Sequence, residues 1–534
     1  MKCELKNVLA ILEGAVLEGN PSISVSGLTH DSRKVRPGWL FVAIPGETSD
    51  GHDYIEQAIA SGAAAVLAEH PVGPGIAGVP RIQVDDTRRV LGRVASLIYG
   101  RPASRMVVVG ITGTNGKTTL TFLLESVLLA AGLRPGVIGT ISYRWGGREY
   151  AAGHTTPEAS DLQRMLADMA ADGVTHALLE VSSHGLHSGR LEGCDFDLGV
   201  FTNLTQDHLD YHGNLEEYYQ AKKILFSRLL PLSCRTKNAH AVVNLDDPYG
   251  VRLAREIPGI PVTGYGTESG CTVHPHKVSL TAEGISGTVV DGSGSVHVQS
   301  RLTGAFNLLN ILAAVAVSER LHIPKEAVSR GIEAVEVVPG RLERVPSERG
   351  NIFVDYAHTP DALKNVLEAL AKFRVGRIVT VMGCGGDRDR TKRPIMGKEA
   401  AQGSDFVVVT SDNPRTEEPM DIIHQVENGV IAQGFVRCSE EFNGSPLKSG
   451  HYVVIPDRRE AIAFAVKRLQ DRDILLVAGK GHETYQEIGI IRHPFDDREV
   501  LREELTKLEE ASQPGRRSSR SRAVKSANLQ RQQT

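Results

Sequence analysis

The segment that most constrains this chain is Gly110-Ile-Thr-Gly-Thr-Asn-Gly-Lys-Thr-Thr119, which continues the apolar run Met106–Ile111 and leads into the helical pattern Leu120–Ala131. Glycines in such a turn let backbone N–H groups point inward around phosphate oxygens, and the helix N-terminus adds partial positive charge. In that template Lys117 reaches the β- and γ-phosphates and Thr118 binds the accompanying magnesium. Gly113, Thr114, Asn115, Gly116 and Thr119 complete the loop. Strand, loop and helix in this succession call for an α/β layer around a nucleotide. The strict template wants glycine where Ile111 stands, and here the first glycine comes one residue earlier. That departure argues against an ordinary P-loop motor or GTPase. The bland alternative is a glycine-rich turn that holds no ligand.

At 534 residues the chain exceeds what one hydrophobic core supports, so several domains are expected. Residues 1–103 alternate apolar runs with helical patterns (Trp39–Ile44, Tyr54–Ser61, Ala64–Ala68), as in a small α/β domain. Gly100 and Pro102 break the last helix near a boundary. A second domain, 104–338, holds the phosphate loop, a meander-like stretch at Cys271–Ser300 and a buried helix at Asn307–Val317. In the third, 339–511, strand candidates Ile352–Tyr356, Ile378–Met382, Phe406–Thr410, Tyr452–Ile455 and Ile474–Ala478 alternate with helices at Asp361–Lys372, Arg393–Gln402, Met420–Ala432, Arg458–Leu469 and Asp496–Leu508. Such alternation predicts a parallel, doubly wound, Rossmann-like sheet. Residues 512–534 carry Arg516, Arg517, Arg520, Arg522, Lys525 and Arg531 with no acid, and are expected to be a disordered basic tail.

Sixty basic against 64 acidic residues leave a net charge of −4, without the basic excess of a nucleic-acid-binding protein. Six cysteines without a Cys-x-x-Cys spacing suggest neither zinc nor a disulfide framework. The N-terminus has no signal-peptide core, and no apolar run approaches the roughly 18 residues of a membrane span. The expectation is a cytoplasmic monomer with no membrane or nucleic-acid partner.

Two further stretches carry chemistry. Leu178-Leu-Glu-Val-Ser-Ser-His184 places Glu180 at a strand end, and Asn203-Leu-Thr-Gln-Asp-His-Leu-Asp-Tyr-His-Gly213 gathers two acids and two histidines. Carboxylates and imidazoles beside a phosphate loop are what magnesium and a transferring phosphoryl group need. Each alone has a plainer reading, since loop histidines such as His208 more often cap or hydrogen-bond than ligate.

The order Gly-Thr-Asn-Gly-Lys-Thr-Thr, Glu-Val-Ser-Ser-His, Asn-Leu-Thr-x-Asp-His-Leu-Asp-Tyr-His-Gly resembles the Mur ligases of peptidoglycan synthesis, over roughly residues 20 to 510. Within that family the chain is most similar to the branch that adds diaminopimelate as the third amino acid. The resemblance implies three domains: one for the UDP end of the substrate, a central P-loop ATPase, and a Rossmann-like domain for the incoming amino acid. It implies ATP as co-substrate, Mg²⁺, and a carbamylated lysine (CO2-derived), with the D-glutamate carboxylate of a UDP-muramoyl dipeptide activated as an acyl phosphate. Closure of the third domain would then exclude water.

The same resemblance assigns residues. In Tyr218-Tyr-Gln-Ala-Lys-Lys-Ile-Leu-Phe226 it selects Lys222 for carbamylation, whereas the sequence alone makes it a helix-surface lysine. Glu180 and His208 match the remaining metal positions, beside Thr118. Asn310, Arg341 and Asp355 match ATP-contacting motifs. Ser32, Thr155, Thr156, Ser182 and Arg190 match contacts to the nucleotide-sugar peptide, and Ser188 stands where relatives often carry Gln. The third domain can also be read directly, because ligands on doubly wound sheets bind beyond the carboxyl ends of the strands. The loops there are Gly383-Cys-Gly-Gly-Asp-Arg388, Ser411-Asp-Asn-Pro-Arg415 and Gly479-Lys-Gly-His-Glu483.

Arg415 suits a distal carboxylate bidentately. Facing lysine's bare ammonium instead, it would cost about 2–5 kcal/mol. Asp412, Asn413, Pro414 and Arg415 resemble the diaminopimelate signature, with Arg388, Gly479 and Glu483 as its other contacts. The plainer reading is that Arg415 only pairs with Glu417 or Glu418. Rival functions are a lysine-adding Mur ligase, a folylpolyglutamate synthase-like ligase, and a P-loop NTPase switch or transport ATPase.

Overall fold

The structure is a computed structural model that describes residues 2–46, 49–70, 78–257, 259–281, 283–438 and 447–512. They fall into two compact units. The first lies within Met1–Thr205, His212–Leu280 and Gly284–Glu336, and the second within Gln206–Tyr211, Thr281–Glu283 and Val337–Thr534. Among the described residues no helix is long and apolar enough to cross a membrane.

The first unit contains two principal sheets. One has five strands in the order Val16–Glu18, Arg81–Gln83, Ala65–Ala68, Leu40–Val42, Leu28–Thr29, parallel except for the first. The helix Thr87–Ile98 is capped by Asp86, which accepts from Arg89 N, and it buries Leu91, Val94, Ala95 and Ile98 at helical spacing. Glu69 and Thr87 join the sheet to that helix at 2.8 Å.

The other sheet has eight strands. Six are parallel, in the order Pro135–Ile138, His176–Glu180, Val107–Thr112, Leu198–Phe201, His240–Asn244, Val262–Tyr265, and Ser142–Trp145 and Arg148–Ala151 extend it antiparallel. Near-continuous apolar runs suit strands covered on both faces, and all five residues of His176–Glu180 are buried. The expected buried helix spans Ala305–Arg320, with eleven buried residues around its whole circumference. The expected meander is a three-stranded sheet of His274–Thr281, Gly284–Asp291 and Gly294–Ser300.

The second unit is built on seven strands in the order Glu343–Val345, Asn351–Asp355, Ile474–Ala478, Ile378–Met382, Phe406–Val409, His451–Val454, Val436–Arg437, parallel except for the first. The five strands expected from the sequence form its centre. The late strand Ile474–Ala478 inserts between the first two of them, so the Gly383, Ser411 and Gly479 loops all leave the carboxyl end of the sheet. A fully buried ion pair fastens this end. Arg458 reaches Asp497 at 2.7 and 2.8 Å and donates to Ser411 O, the first residue of one loop, and to Ala478 O, one residue before another.

The short edge strands Glu343–Val345 and Val436–Arg437 and a hairpin of Tyr485–Ile488 with Ile491–Pro494 were not foreseen. The last helix runs Asp497–Ser512, one residue into the expected tail. The rest of that tail lies outside the described residues.

Candidate active site

The phosphate loop joins Val107–Thr112 to the helix Lys117–Ala130. Gly113 has φ +148°, and a Cβ there would meet Thr202 Oγ1 at 1.8 Å. Gly116 caps the helix at φ +90°, and its missing Cβ leaves room for Asn310 Oδ1. Thr202 Oγ1 and Asn203 brace Asn115, with Asn203 Oδ1 accepting from Asn115 N at 2.9 Å. Thr114 Oγ1 lies 3.2 Å from the Tyr218 hydroxyl. Lys117 Nζ donates to Gly113 O and Thr114 O, which brings its charge over the loop. Thr118 and Thr119 are buried in the first turn.

Glu180, 2% exposed at its strand end, accepts from Thr118 Oγ1 at 3.0 Å and from Thr140 Oγ1 at 2.9 Å, and Thr140 Oγ1 is 3.0 Å from Thr155 Oγ1. A continuous chain of hydroxyls and one carboxylate thus links the expected dipeptide residues to the phosphate loop. Thr156 Oγ1 donates to Glu180 O and accepts from Ser182 N, and Arg190 donates to Thr156 O at 3.1 Å while facing Glu158 at 2.8 Å. Ser182 caps the short helix Ser183–His187. Ser188 Oγ turns back onto His184 O at 2.6 Å. Ser32 is buried and donates to Gln57 Oε1 at 3.1 Å.

Lys222 is not the surface lysine that its sequence context alone suggests. It is 1% exposed, lies 4.3 Å over the Tyr218 ring, and donates to Gly113 O at 3.0 Å. Beside it His212 bonds to Ser183 Oγ, and burial together with His184, Lys222 and His187 pushes its pKa down to about 4. Among the described residues no three His, Cys, Asp or Glu side chains form a ready metal cluster. The Thr118 hydroxyl and Glu180 carboxylate do suit magnesium: they are hard oxygen donors in contact beside the phosphate loop.

His208 belongs to the second unit, at φ +53°, with Nε2 3.3 Å from Asp207 Oδ2. Asp207 is buried, which pushes its carboxyl up, yet His208, His358 at 3.6 Å and Lys392 at 3.4 Å together hold it well below the usual carboxylate range. Arg341 lies 4.6 Å over the Tyr356 ring. Burial lifts Asp355 to about 6, against the pull of Arg341 and of the Leu342 and Ala357 amides.

In the same unit a cavity of about 180 Å³ is lined by Asp207, His208, Arg388, Asp412, Asn413, Arg415, Gly479 and Glu483, among others. Gly479, at φ +117°, faces Asp412 so closely that a Cβ would meet Oδ2 at 2.4 Å. Asn413 Nδ2 donates to Glu483 Oε2 at 2.9 Å, and the fully buried Lys480 bridges Asn413 Oδ1 and Glu483 Oε2. Pro414 O packs against Gly386. Arg388 donates to Asp387 O.

Arg415 pairs with neither Glu417 nor Glu418. Glu417 is held by Arg393 at 2.7 Å and Arg390 at 3.1 Å, which drive its pKa down to about 2. The acid beside Arg415 is Glu487, at 3.2 Å, from the unforeseen hairpin. Asp207, Lys392 and Lys480 also escaped the sequence reading as site residues, although Asp207 and Lys480 sit inside stretches it singled out. Lys392 gave no signal beyond its place just after the Arg388 loop.

Three family models match: "Mur ligase family, catalytic domain" at residues 24–99, "Mur ligase middle domain" at 111–318, and "Mur ligase, glutamate ligase domain" at 340–481. A curated relative from Geobacter metallireducens, named UDP-N-acetylmuramoyl-L-alanyl-D-glutamate–2,6-diaminopimelate ligase, is 46% identical over 93% of this chain and 97% of its own length. One of the same name from Geobacillus kaustophilus is 43% identical over 91% and 95%. A solved structure described by that name superposes with a TM-score of 0.65 and 34% identity, covering 95% of this chain and all of that one. MurF ligase from Thermotoga maritima in complex with ADP, at 20% identity and a TM-score of 0.61 over 91% of this chain and 99% of that one, shares the fold.

Proposed function

The chain belongs to the Mur ligase family, and from that premise we propose that it joins meso-diaminopimelate to the D-glutamate of UDP-N-acetylmuramoyl-L-alanyl-D-glutamate with ATP as co-substrate. We read it as a cytoplasmic monomer of three domains, divided near residues 103 and 338. The observation that carries the reading is the hydrogen-bonded chain Thr155, Thr140, Glu180, Thr118, which couples the expected carboxylate-substrate side to the phosphate side within one unit.

On this reading Ser32, Thr155, Thr156, Ser182 and Arg190 hold the nucleotide-sugar dipeptide, with Ser188 a weaker contact since its hydroxyl is engaged on its own helix. The loop Gly113–Thr119 cradles the ATP phosphates, Lys117 offsets charge on the transferring group and Asn310 adds a contact in the same unit, while Arg341 and Asp355 of the second unit carry the other ATP-contacting motifs. In the first unit Thr118, Glu180 and a carbamate on Lys222 would hold magnesium, which would neutralise phosphate charge, and His208 carries the remaining expected metal position. The D-glutamate side-chain carboxylate attacks the γ-phosphorus, ADP leaves, and the resulting acyl phosphate is attacked by the diaminopimelate amine, releasing phosphate. Arg388, Asp412, Asn413, Pro414, Arg415, Gly479 and Glu483 hold the amine substrate, with Arg415 on its distal carboxylate.

The test supplies UDP-muramoyl dipeptide and ATP with either meso-diaminopimelate or lysine, and measures ADP release and product mass. Amide formation with diaminopimelate in clear preference to lysine is expected. Equal use of both amines, or ATP turnover without amide, overturns the reading.

A further inference from the structure

We propose that Glu487 is a positioning residue for amine selection, holding Arg415 in the conformation that reads the distal carboxylate. This rests on the function reading above and extends it to a residue outside the segments that carry the resemblance.

Arg415 sits at φ +51°, a left-handed conformation that a long side chain adopts only at a cost. Something must hold it there, and the contacts show what does. Arg415 N donates to Glu487 O at 3.0 Å, and Gly489 N donates to Arg415 O at 2.7 Å, so both backbone groups of the strained residue are tied to the Tyr485–Ile488 strand and its turn. Glu487 N donates to Asn413 Oδ1 at 2.9 Å, and Gln486 Nε2 to Asp412 O at 2.7 Å. The first strand of the hairpin therefore grips the Asp412–Arg415 loop at three of its four residues.

The side chains complete the grip. Arg415 Nε donates to Glu487 Oε2 at 3.2 Å, and Arg415 Nη1 to Gly386 O at 2.7 Å. A guanidinium carries five N–H donors in a rigid fork. Two are engaged by the protein, on Nε and on Nη1, which leaves three for a ligand. Fixing the fork at two separated points sets its plane before any carboxylate arrives, and a preset plane is what bidentate recognition requires. Glu487 also places a negative charge beside Arg415, so the cation is partly compensated while the site is empty.

The backbone bonds survive substitution at Glu487, whereas the carboxylate contact does not. Glu487→Gln keeps the shape and removes the charge, Glu487→Asp shortens the reach, and Glu487→Ala removes both. The experiment measures kcat and KM for meso-diaminopimelate and for lysine at saturating ATP and UDP-muramoyl dipeptide, with the KM values for those two substrates and the thermal unfolding midpoint as controls. For Glu487→Ala the expected result is a KM for diaminopimelate raised roughly ten-fold, kcat within about two-fold, and a preference over lysine reduced by a similar factor. Glu487→Asp should recover part of the loss, and the KM values for ATP and the dipeptide should stay at the wild-type level. An unchanged diaminopimelate KM and unchanged preference overturn the proposal. So does a parallel rise in all three KM values with a lowered unfolding midpoint, which marks a merely structural residue. A wild-type enzyme that ignores diaminopimelate overturns the function reading as well; a wild type that uses it, with unaffected variants, overturns this inference alone.

Discussion

Replacing Gly113 by alanine tests whether the phosphate loop is the seat of the chemistry. The new Cβ would lie 1.8 Å from Thr202 Oγ1, with Asn203 N and O at 3.1 Å, while real Cβ contacts essentially never fall below 3.0 Å. The shortfall from 3.0 to 1.8 Å requires about 1.2 Å of movement by the loop, by the Thr202–Asn203 segment, or by both. Thr202 is not free to yield, because its hydroxyl donates to Asn115 O at 2.6 Å and its amide donates to Thr112 O at 3.0 Å. The displacement therefore falls on the residues proposed to cradle the phosphates, and a misplacement of about 1 Å near reacting groups costs on the order of 10²-fold in rate. Amide formation by Gly113→Ala, followed as ADP release with product mass, should fall by that factor while the protein stays folded.

The double variant Gly113→Ala/Thr202→Ala removes the colliding oxygen and should recover part of the rate. It forgoes the hydrogen bond to Asn115, worth about 1 kcal/mol, so recovery is incomplete. A Gly113→Ala enzyme with wild-type kcat and wild-type KM for ATP refutes the reasoning, and so does a double variant no better than the single one.

Lys222→Ala should abolish most amide formation and regain part of it when a short carboxylic acid is added to stand in for the carbamate; full activity without additive rejects the second-metal role of this buried side chain. Asp497→Ala strands Arg458, fully buried, without its acid, and should lose about 3–5 kcal/mol in urea unfolding. Because Arg458 also donates to Ser411 O and Ala478 O, the KM for the amine should rise with it, and a stability loss under about 1 kcal/mol counts against that account.

Asp355 has a folded pKa of about 6 against an ordinary 3.8, so the folded state binds its proton more tightly. Its contribution is full below pH 3.8 and is lost as pH rises through about 6, roughly 3 kcal/mol in all. Relative to Asp355→Asn, the wild type should lose stability between pH 4 and 7.5, and parallel profiles of the two proteins rule this out.

The sequence was most legible where chemistry sits in one continuous segment. The phosphate loop needs only a strand, a glycine turn and a helix in succession, and Val107–Thr112 and Lys117–Ala130 supply them within two dozen residues. The central strands of the second unit were visible for a similar reason, since strands buried on both faces read as unbroken apolar runs, as in Phe406–Val409 and Ile474–Ala478. Burial of Lys222 was illegible from its context, because Tyr218-Tyr-Gln-Ala-Lys-Lys looks like any polar helix. What encloses the lysine is Gly113, more than a hundred residues earlier. Glu487 was illegible for the same reason. Its hairpin is two four-residue strands with mostly exposed side chains, too short for periodicity to declare, and its meaning appears only when the strand returns to the Asp412–Arg415 loop.

That return bears on how the amine is chosen. Seven non-glycine residues among those described have positive φ, and four of them (His208, Leu342, Asp387 and Arg415) are in the second unit, each in or next to a proposed site residue. Each such conformation costs on the order of 1–3 kcal/mol and persists only where the surroundings over-determine it. For Asp387 the surroundings are Thr416, whose amide and hydroxyl both donate to its carboxylate. For Arg415 they are Glu487 and Gly489, and the buried Arg458–Asp497 pair ties down Ser411 at the start of the same loop. With the strain balanced by contacts internal to the unit, the loops take their shape without substrate. On the proposed function, selection of diaminopimelate over lysine would then arise from a fork already aimed, so that an ill-fitting amine would meet an unsatisfied guanidinium rather than a loop that adapts to it.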